Sequence, residues 1–373
     1  MEFAGSFLER VKQRTENNPK MPHWVGELYL EYHRGTYTSN ACNKRNNRKS
    51  EFLYQNIELF SEINRLLNKA AYPQEKINEG WECILLNQFH DIIPGSSIYQ
   101  VYEESTRQYE AIGKVGREML GNAKAQLAAN IKTEGGIAVF NPLSFENSGV
   151  VEVDGEKIYA KNVPAKGWKV IGGNESKGSV AVAEKAMENE YFVLEFADDY
   201  TISRIYDKRC GRQVLKAGER ANVIEAYEDF PRAYDAWEIS VYYKEKRWEI
   251  SDVSAVEMLD EGVRKGIKIT RKFDKSTIEQ KIWMYNDIDK IDFETTAEWY
   301  QEHILVKTAF PVDINADKAT YEIQFGCVER PTHTNTSWEA AKFEVCAHKY
   351  ADISECDYGV SILNDCKYGH DIH

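Results

Sequence analysis

The chain has 373 residues and a formal net charge of −13, from 60 acidic and 47 basic side chains. That balance excludes nucleic acid or an anionic membrane as the main partner, since both require basic surface. A composition of 42% apolar and 12% aromatic residues suits a globular chain of two or three domains, and no apolar run approaches membrane-span length.

The first ten residues carry neither a basic nor an apolar signal region. The seven cysteines are scattered and odd in number, with no C-x-x-C pair, and read as reduced thiols. A cytoplasmic location is therefore expected, and the sequons at Asn174 and Asn335 are read as chance.

Residues 1–39 do not make a convincing unit. An amphipathic stretch, Phe3 to Arg14, leads through a polar linker to Pro22, and Val25 to Leu30 reads as a strand. One helix and one strand cannot bury a core, so this segment either packs onto something later or lacks its natural partner. From Asn40 the pattern turns helical. Leu53, Ile57, Phe60, Ile63 and Leu67 recur at spacings of three and four, with Ser39 as the expected N-cap. Tyr72-Pro73 ends this helix, and Pro73 suits the first turn of a second one that places Ile77, Trp81, Ile84, Leu85 and Gln88 on one side. A third helix starts at Ser97 and runs to about Ile131. Short connections favour an antiparallel three-helix bundle over residues 40–132. The basic run Lys44 to Lys49 reads as a solvated helix start.

Thr133-Glu134-Gly135-Gly136 is a linker, after which the apolar period becomes two. Asp154-Gly155 is the turn of a hairpin, and Tyr191–Phe196 and Thr201–Tyr206 are a second strand pair. Longer alternating runs follow around Ile267, Ile282, Phe293 and Val306, with Asn286-Asp287 and Gln301-Glu302 as turns between them. Strands without intervening helices predict a large antiparallel β-sandwich over 137–373, one that stops in mid-pattern.

Candidate chemistry is confined to a few stretches. Gln88-Phe89-His90-Asp91 sets a histidine beside an aspartate where a helical pattern stops, before Pro94-Gly95. On its residues alone this reads first as a helix end followed by a turn, and second as a functional pair. His33-Arg34-Gly35-Thr36-Tyr37-Thr38, Glu228 to Trp237 and Arg330 to Trp338 mix rings with charged and amide side chains. Such mixtures suit sugars, since rings stack on sugar faces and polar groups fork onto hydroxyls, but ordinary sandwich loops share them. His370-x-x-His373 has metal-compatible spacing without a nearby third ligand, and chance is the better reading.

Five segments together resemble the α-mannosidases of glycoside hydrolase family 38, most of all their cytosolic and bacterial branch. They are Gly26 to Ser39, Gln88 to Ser96, Asp235-Ala236-Trp237, Gly326 to Thr332, and Asp357 to Val360. The resemblance implies a multidomain α+β fold. Residues 1–39 would be the C-terminal remnant of an α/β catalytic domain, followed by the three-helix bundle and the incomplete β-sandwich. It also implies a zinc-dependent retaining glycosidase that releases α-linked mannose from oligosaccharides. By it His90 is a ligand of one Zn²⁺, and Asp91, His33, Arg34 and Asp235 are substrate contacts. The nucleophile, the acid/base and the other zinc ligands belong to a part of the family's chain with no match here. The expectation is thus a fragment, truncated at both ends and inactive alone. Its expected partners are a mannose-containing oligosaccharide and either the absent catalytic portion or a second copy. The alternative is a non-catalytic carbohydrate-binding or scaffold protein, with a metal-binding interaction module centred on His90 third.

Overall fold

The computed structural model describes residues 2–373, which fall into two compact units, one reaching Glu31 and one running from Tyr32 to His373. In the first, helix α1 (Ala4–Thr15) forms as the amphipathic pattern predicts. Val25–Leu30 is irregular, which corrects the strand expected there. A strand needs a neighbour to take its backbone groups, and no described strand pairs with this segment.

The second unit opens with three long helices: α2 (Ala41–Asn68), α3 (Gln74–Asn87) and α4 (Tyr99–Ala128). Tyr54, Ile57, Ile77, Ile84 and Tyr109 form the core between them. The buried face of α3 is Ile77, Gly80, Ile84 and Asn87, spaced three, four and three. Leu85 lies about 100° further round the helix and is exposed, not buried beside Ile84 as the sequence suggested. Asn40, not Ser39, is the N-cap of α2, in the left-handed conformation (φ 53°). Pro73 is itself the cap of α3. The basic start of α2 is only in part the solvated face expected: Arg45 and Lys49 are exposed, but Lys44 and Arg48 are buried.

The remainder is antiparallel sheet. Strands Asn147–Val153 and Glu156–Val163 form the expected hairpin, with positive φ at both Asp154 and Gly155, the geometry of a type I′ turn. A five-stranded meander over residues 181–213 and a four-stranded meander over 252–298 share one core, in which Leu194 and Ile202 meet Ile267 and Ile282. Alternation places these side chains, because successive residues of a strand face opposite sides. Ile304–Ala309 does not extend the second meander. It pairs with Val223–Glu228 in a separate three-stranded sheet, so Gln301-Glu302 is a crossover and not a hairpin turn. A further four-stranded sheet is built from residues 318–363.

The start of α2 is also where the helices meet the sheets. Arg48 lies over the Tyr368 ring at 5.0 Å, and Asn47 donates to the Tyr368 hydroxyl at 3.3 Å. Arg48 Nη2 stands 2.9 Å from His348 Nδ1. A guanidinium only donates, so Nδ1 must accept and the imidazole is held neutral. Burial, then the Arg48 charge, lowers the His348 pKa, with Glu322 opposing and Lys349 adding. A histidine with a depressed folded pKa contributes stability above its unfolded value, near 6.5, and loses it as pH falls. His348→Gln is expected to flatten the loss of melting temperature between about pH 7 and pH 5. Paired thermal melts of variant and parent check this; parallel pH curves would refute it.

Candidate functional site

Helix α3 ends in a tightened turn, with Gln88 N donating to Ile84 O at 3.0 Å and Phe89 N to Leu86 O at 3.1 Å. The Gln88 side chain stays in the bundle, donating to Asn47 Oδ1 at 3.0 Å and Glu51 Oε1 at 2.9 Å. Phe89 and His90 turn outward. The His90 side chain is 73% exposed, its Nε2 is 3.4 Å from Asp91 Oδ2, and its ring centroid is 4.4 Å from that of Phe89.

The turn that follows is fixed by side chains from α2 and α4. Asp91 O accepts from Ser97 Oγ at 2.7 Å and Tyr102 OH at 3.3 Å. Ile92 O accepts from Asn43 Nδ2 at 3.2 Å, and Ser105 Oγ orients that amide at 2.7 Å. Ile93 O accepts from Lys44 Nζ at 2.8 Å, and Gly95 O from Asn40 Nδ2 at 3.0 Å. Gly95 has φ +93°, and a Cβ there would lie 2.7 Å from Ser39. Only glycine satisfies both constraints. Lys44 is 3% exposed, and its ammonium also donates to Ser39 O. Burial brings its pKa down to about 7.

Ser39 joins this turn to a second cluster. Its hydroxyl donates to Gly35 O at 2.9 Å and Ala236 O at 3.0 Å, and Gly35 N donates to Trp237 O at 2.9 Å. The short 3₁₀ helix Arg34–Tyr37 thereby lies against residues 234–238. His33 packs edge-on to Trp237 at 4.9 Å, and Tyr32 edge-on to Tyr234 at 6.2 Å. Arg34 is buried beneath this wall. It donates to Glu238 Oε1 at 3.0 Å and Ala341 O at 2.8 Å, with its guanidinium 4.3 Å from the Phe343 ring.

The three-stranded sheet delivers the polar members of the wall. Glu228 pairs with Ile304, so the next residues outward, Asp229 and His303, face each other, with Asp229 N donating to His303 O at 2.8 Å. His303 Nδ1 is 3.4 Å from Asp235 Oδ1, and Asp235 is exposed. Asp229 Oδ1 is buried without a hydrogen-bond partner. Burial, then the Asp235 charge, raises the Asp229 pKa to about 6, partly offset by His303. Asp229 thus keeps its proton to higher pH than an ordinary aspartate, while Asp235 near it is open to solvent.

Of the residues read from the sequence, the structure places His90 and Asp91 on one cluster and His33 and Asp235 on another, joined through Ser39, while Arg34, expected as a substrate contact, is buried against Glu238 and Ala341. Sequence reading missed Lys44 and His303, and gave Asp229 no role of its own within the Glu228–Trp237 stretch. Only the unusual helical start Asn40-Ala41-Cys42-Asn43-Lys44 hinted at the first. The other two become visible only when strand register sets them opposite each other. The donor chemistry of His90 suits zinc, an imidazole beside a carboxylate. Among the described residues, however, no three His, Cys, Asp or Glu side chains converge as a metal would require.

Comparison with known proteins agrees with this architecture. Residues 31–127 match the alpha mannosidase middle domain, and residues 187–373 match the glycosyl hydrolases family 38 C-terminal domain. The chain belongs to glycosyl hydrolase family 38. It is 34% identical over 388 residues to an alpha-mannosidase of Saccharomyces cerevisiae, covering 98% of this chain and 34% of that protein. It is 32% identical over 374 residues to alpha-mannosidase 2C1 of Homo sapiens, covering 93% of this chain and 35% of that protein. The chain thus spans about a third of the length of the curated relatives it matches. A solved alpha-mannosidase structure from Enterococcus faecalis shares the fold, with TM-score 0.79 at 14% identity over 99% of this chain and 54% of that one.

Two outcomes follow from this geometry. Lys44→Met removes the donor to Ile93 O and is expected to speed amide exchange over residues 91–97 by about tenfold, the scale of one lost buried hydrogen bond. Exchange in strands 264–273 and 276–285 should not change, and exchange mass spectrometry reads both. The folded pKa of Asp229 lies above its unfolded value, so stability falls as pH rises from about 4 to 6 and stays lower above that. Asp229→Asn is expected to stabilise the chain at pH 7.5 by roughly 1–2 kcal/mol, with no gain at pH 4. Urea titration at the two pH values decides it.

Proposed function

We propose that this chain supplies the middle and C-terminal share of a zinc-dependent retaining α-mannosidase that removes α-linked mannose from oligosaccharides. The observation that carries this reading is the side-chain-clamped turn that presents His90 and Asp91 outward in a chain of the α-mannosidase family. In this reading His90 donates one zinc ligand, and the remaining donors come from residues outside this chain. Zinc, when bound, supplies charge that holds and polarises sugar hydroxyls. Asp91 accepts hydrogen bonds from sugar hydroxyls and steadies the His90 ring. His33 and Asp235 line the adjoining wall, with the Trp237 ring edge-on behind His33. Arg34 acts from beneath, keeping the 33–39 segment seated on residues 234–238.

Retaining hydrolysis needs a nucleophilic carboxylate and a second acid/base carboxylate on the other side of the glycosidic bond. Neither is assigned to this chain. We place the antiparallel three-helix bundle at 40–132 and the β-sandwich at 137–373, and the scattered thiols support a cytoplasmic setting. No helix among the described residues is long and apolar enough to cross a membrane.

The chain alone, supplied with Zn²⁺, is expected not to turn over an aryl α-mannoside. Joined to the catalytic portion of a related α-mannosidase it should do so. His90→Ala in that fusion should lower zinc-dependent turnover by about a hundredfold or more, the scale on which disturbing a metal site acts. Robust turnover by the chain alone, or a fusion indifferent to His90→Ala, would overturn the division of labour.

A further inference from the structure

Beyond the wall, on the other side of Phe230, the three-stranded sheet carries a groove that the reading above leaves unused. The 3₁₀ turn Val241–Glu245 forms one bank. Of its five residues only Tyr243 is buried. Tyr243 is buried and forms the floor, its hydroxyl donating to Glu344 Oε1 at 3.0 Å and accepting from Lys307 Nζ at 3.0 Å. Tyr242 is 66% exposed at the rim. The opposite bank is Phe230, 71% exposed, whose ring also lies tilted at 4.5 Å against that of His303, the residue facing Asp235. The groove between these banks is open to solvent and measures about 390 Å³. That lies within the range of small-molecule sites, roughly 300–1,000 Å³.

The chemistry of the lining narrows the ligand. Glu228 and Glu245 stand with Arg232 and Lys246 along the groove, two acids and two bases. Lys246 already pairs with Glu228. An anion site would carry excess cations and a cation site excess carboxylates, so this balance fits a neutral ligand. Two outward rings with interspersed charged hydrogen-bonding groups are what a polyol with apolar faces requires. Tyr242 stays in water while the neighbouring ring that serves the core, Tyr243, is turned inward, and Phe230 is mostly exposed although it touches His303.

We infer that the Phe230–Tyr242 groove is a sugar-binding subsite that holds an inner residue of a mannose-containing oligosaccharide while its terminal mannose lies at the His33–Asp235 wall. The class of sugar rests on the proposed function; the groove itself does not. Phe230 is the link, because one ring borders both places.

The test uses the full chain with EDTA present throughout, which separates it from any metal-dependent activity. Calorimetry and saturation-transfer NMR with α-linked mannotriose are expected to show binding, with signal strongest on the inner residue. Phe230→Ala and Tyr242→Ala should each weaken it by about fivefold or more, as expected for loss of one stacking ring. Both positions are exposed, and an unchanged circular dichroism melt confirms folding; if one variant fails to fold, the other carries the test. No binding at millimolar sugar, binding unmoved by both substitutions, or equal binding of cellotriose would overturn the inference. Binding that persists although the fusion enzyme shows no His90-dependent turnover would uphold the groove and reject the catalytic reading.

Discussion

The ammonium of Lys44 is held between two backbone carbonyls, Ser39 O and Ile93 O, and each belongs to a segment that carries candidate site residues. A buried charge is unfavourable unless fixed dipoles replace its water, so the two carbonyls must stay where they are. Around it Asn40 and Asn43 take Gly95 O and Ile92 O in the same way. One end of one helix therefore sets the path of the 91–95 turn and of the segment entering the helix. A turn held by its own backbone could slide; one held by four side chains on two helices has a single register. Such support lets a largely exposed imidazole sit at a defined place without being packed.

The wall at residues 229–237 follows a different principle. Its position comes from strand register, which forces Asp229 and His303 opposite each other once Glu228 pairs with Ile304. Its electrostatics come from burial that is uneven within a few residues. Asp229 is sunk and resists ionisation, while Asp235 stays in solvent beside His303. Rings at Tyr234, Trp237 and Phe230 surround these groups. The two clusters thus differ in make: an imidazole–carboxylate pair on a helix end, and rings with carboxyls on a sheet edge.

Much of this was legible in the sequence, and the failures have physical causes. Helix periodicity located α2, α3 and α4, and Asp154-Gly155 announced its hairpin because few residues tolerate positive φ at both turn positions. Leu85 was misplaced because an apolar residue next to a buried one need not share its face. The Lys44–Lys49 run was misread because composition does not tell a solvated lysine from one taken by carbonyls far along the chain. Gln301-Glu302 looked like a hairpin turn because local sequence specifies a reversal but not which sheet receives the next strand. His90 and Asp91 were found through a family motif; Asp229 lay unremarked within a candidate stretch and His303 outside any, and their apposition depended on long-range pairing.

The linker between the helices and the sheets is a covalent tether that holds little. What joins them is a set of contacts between residues roughly three hundred positions apart: Arg48 with His348, Asn47 with Tyr368, and Arg34 with Ala341. Phe140 adds a ring contact with Phe60 at 5.7 Å. These contacts, and not the linker alone, set the register of the helices against the sheets. The site these segments share therefore belongs to their interlocking surfaces.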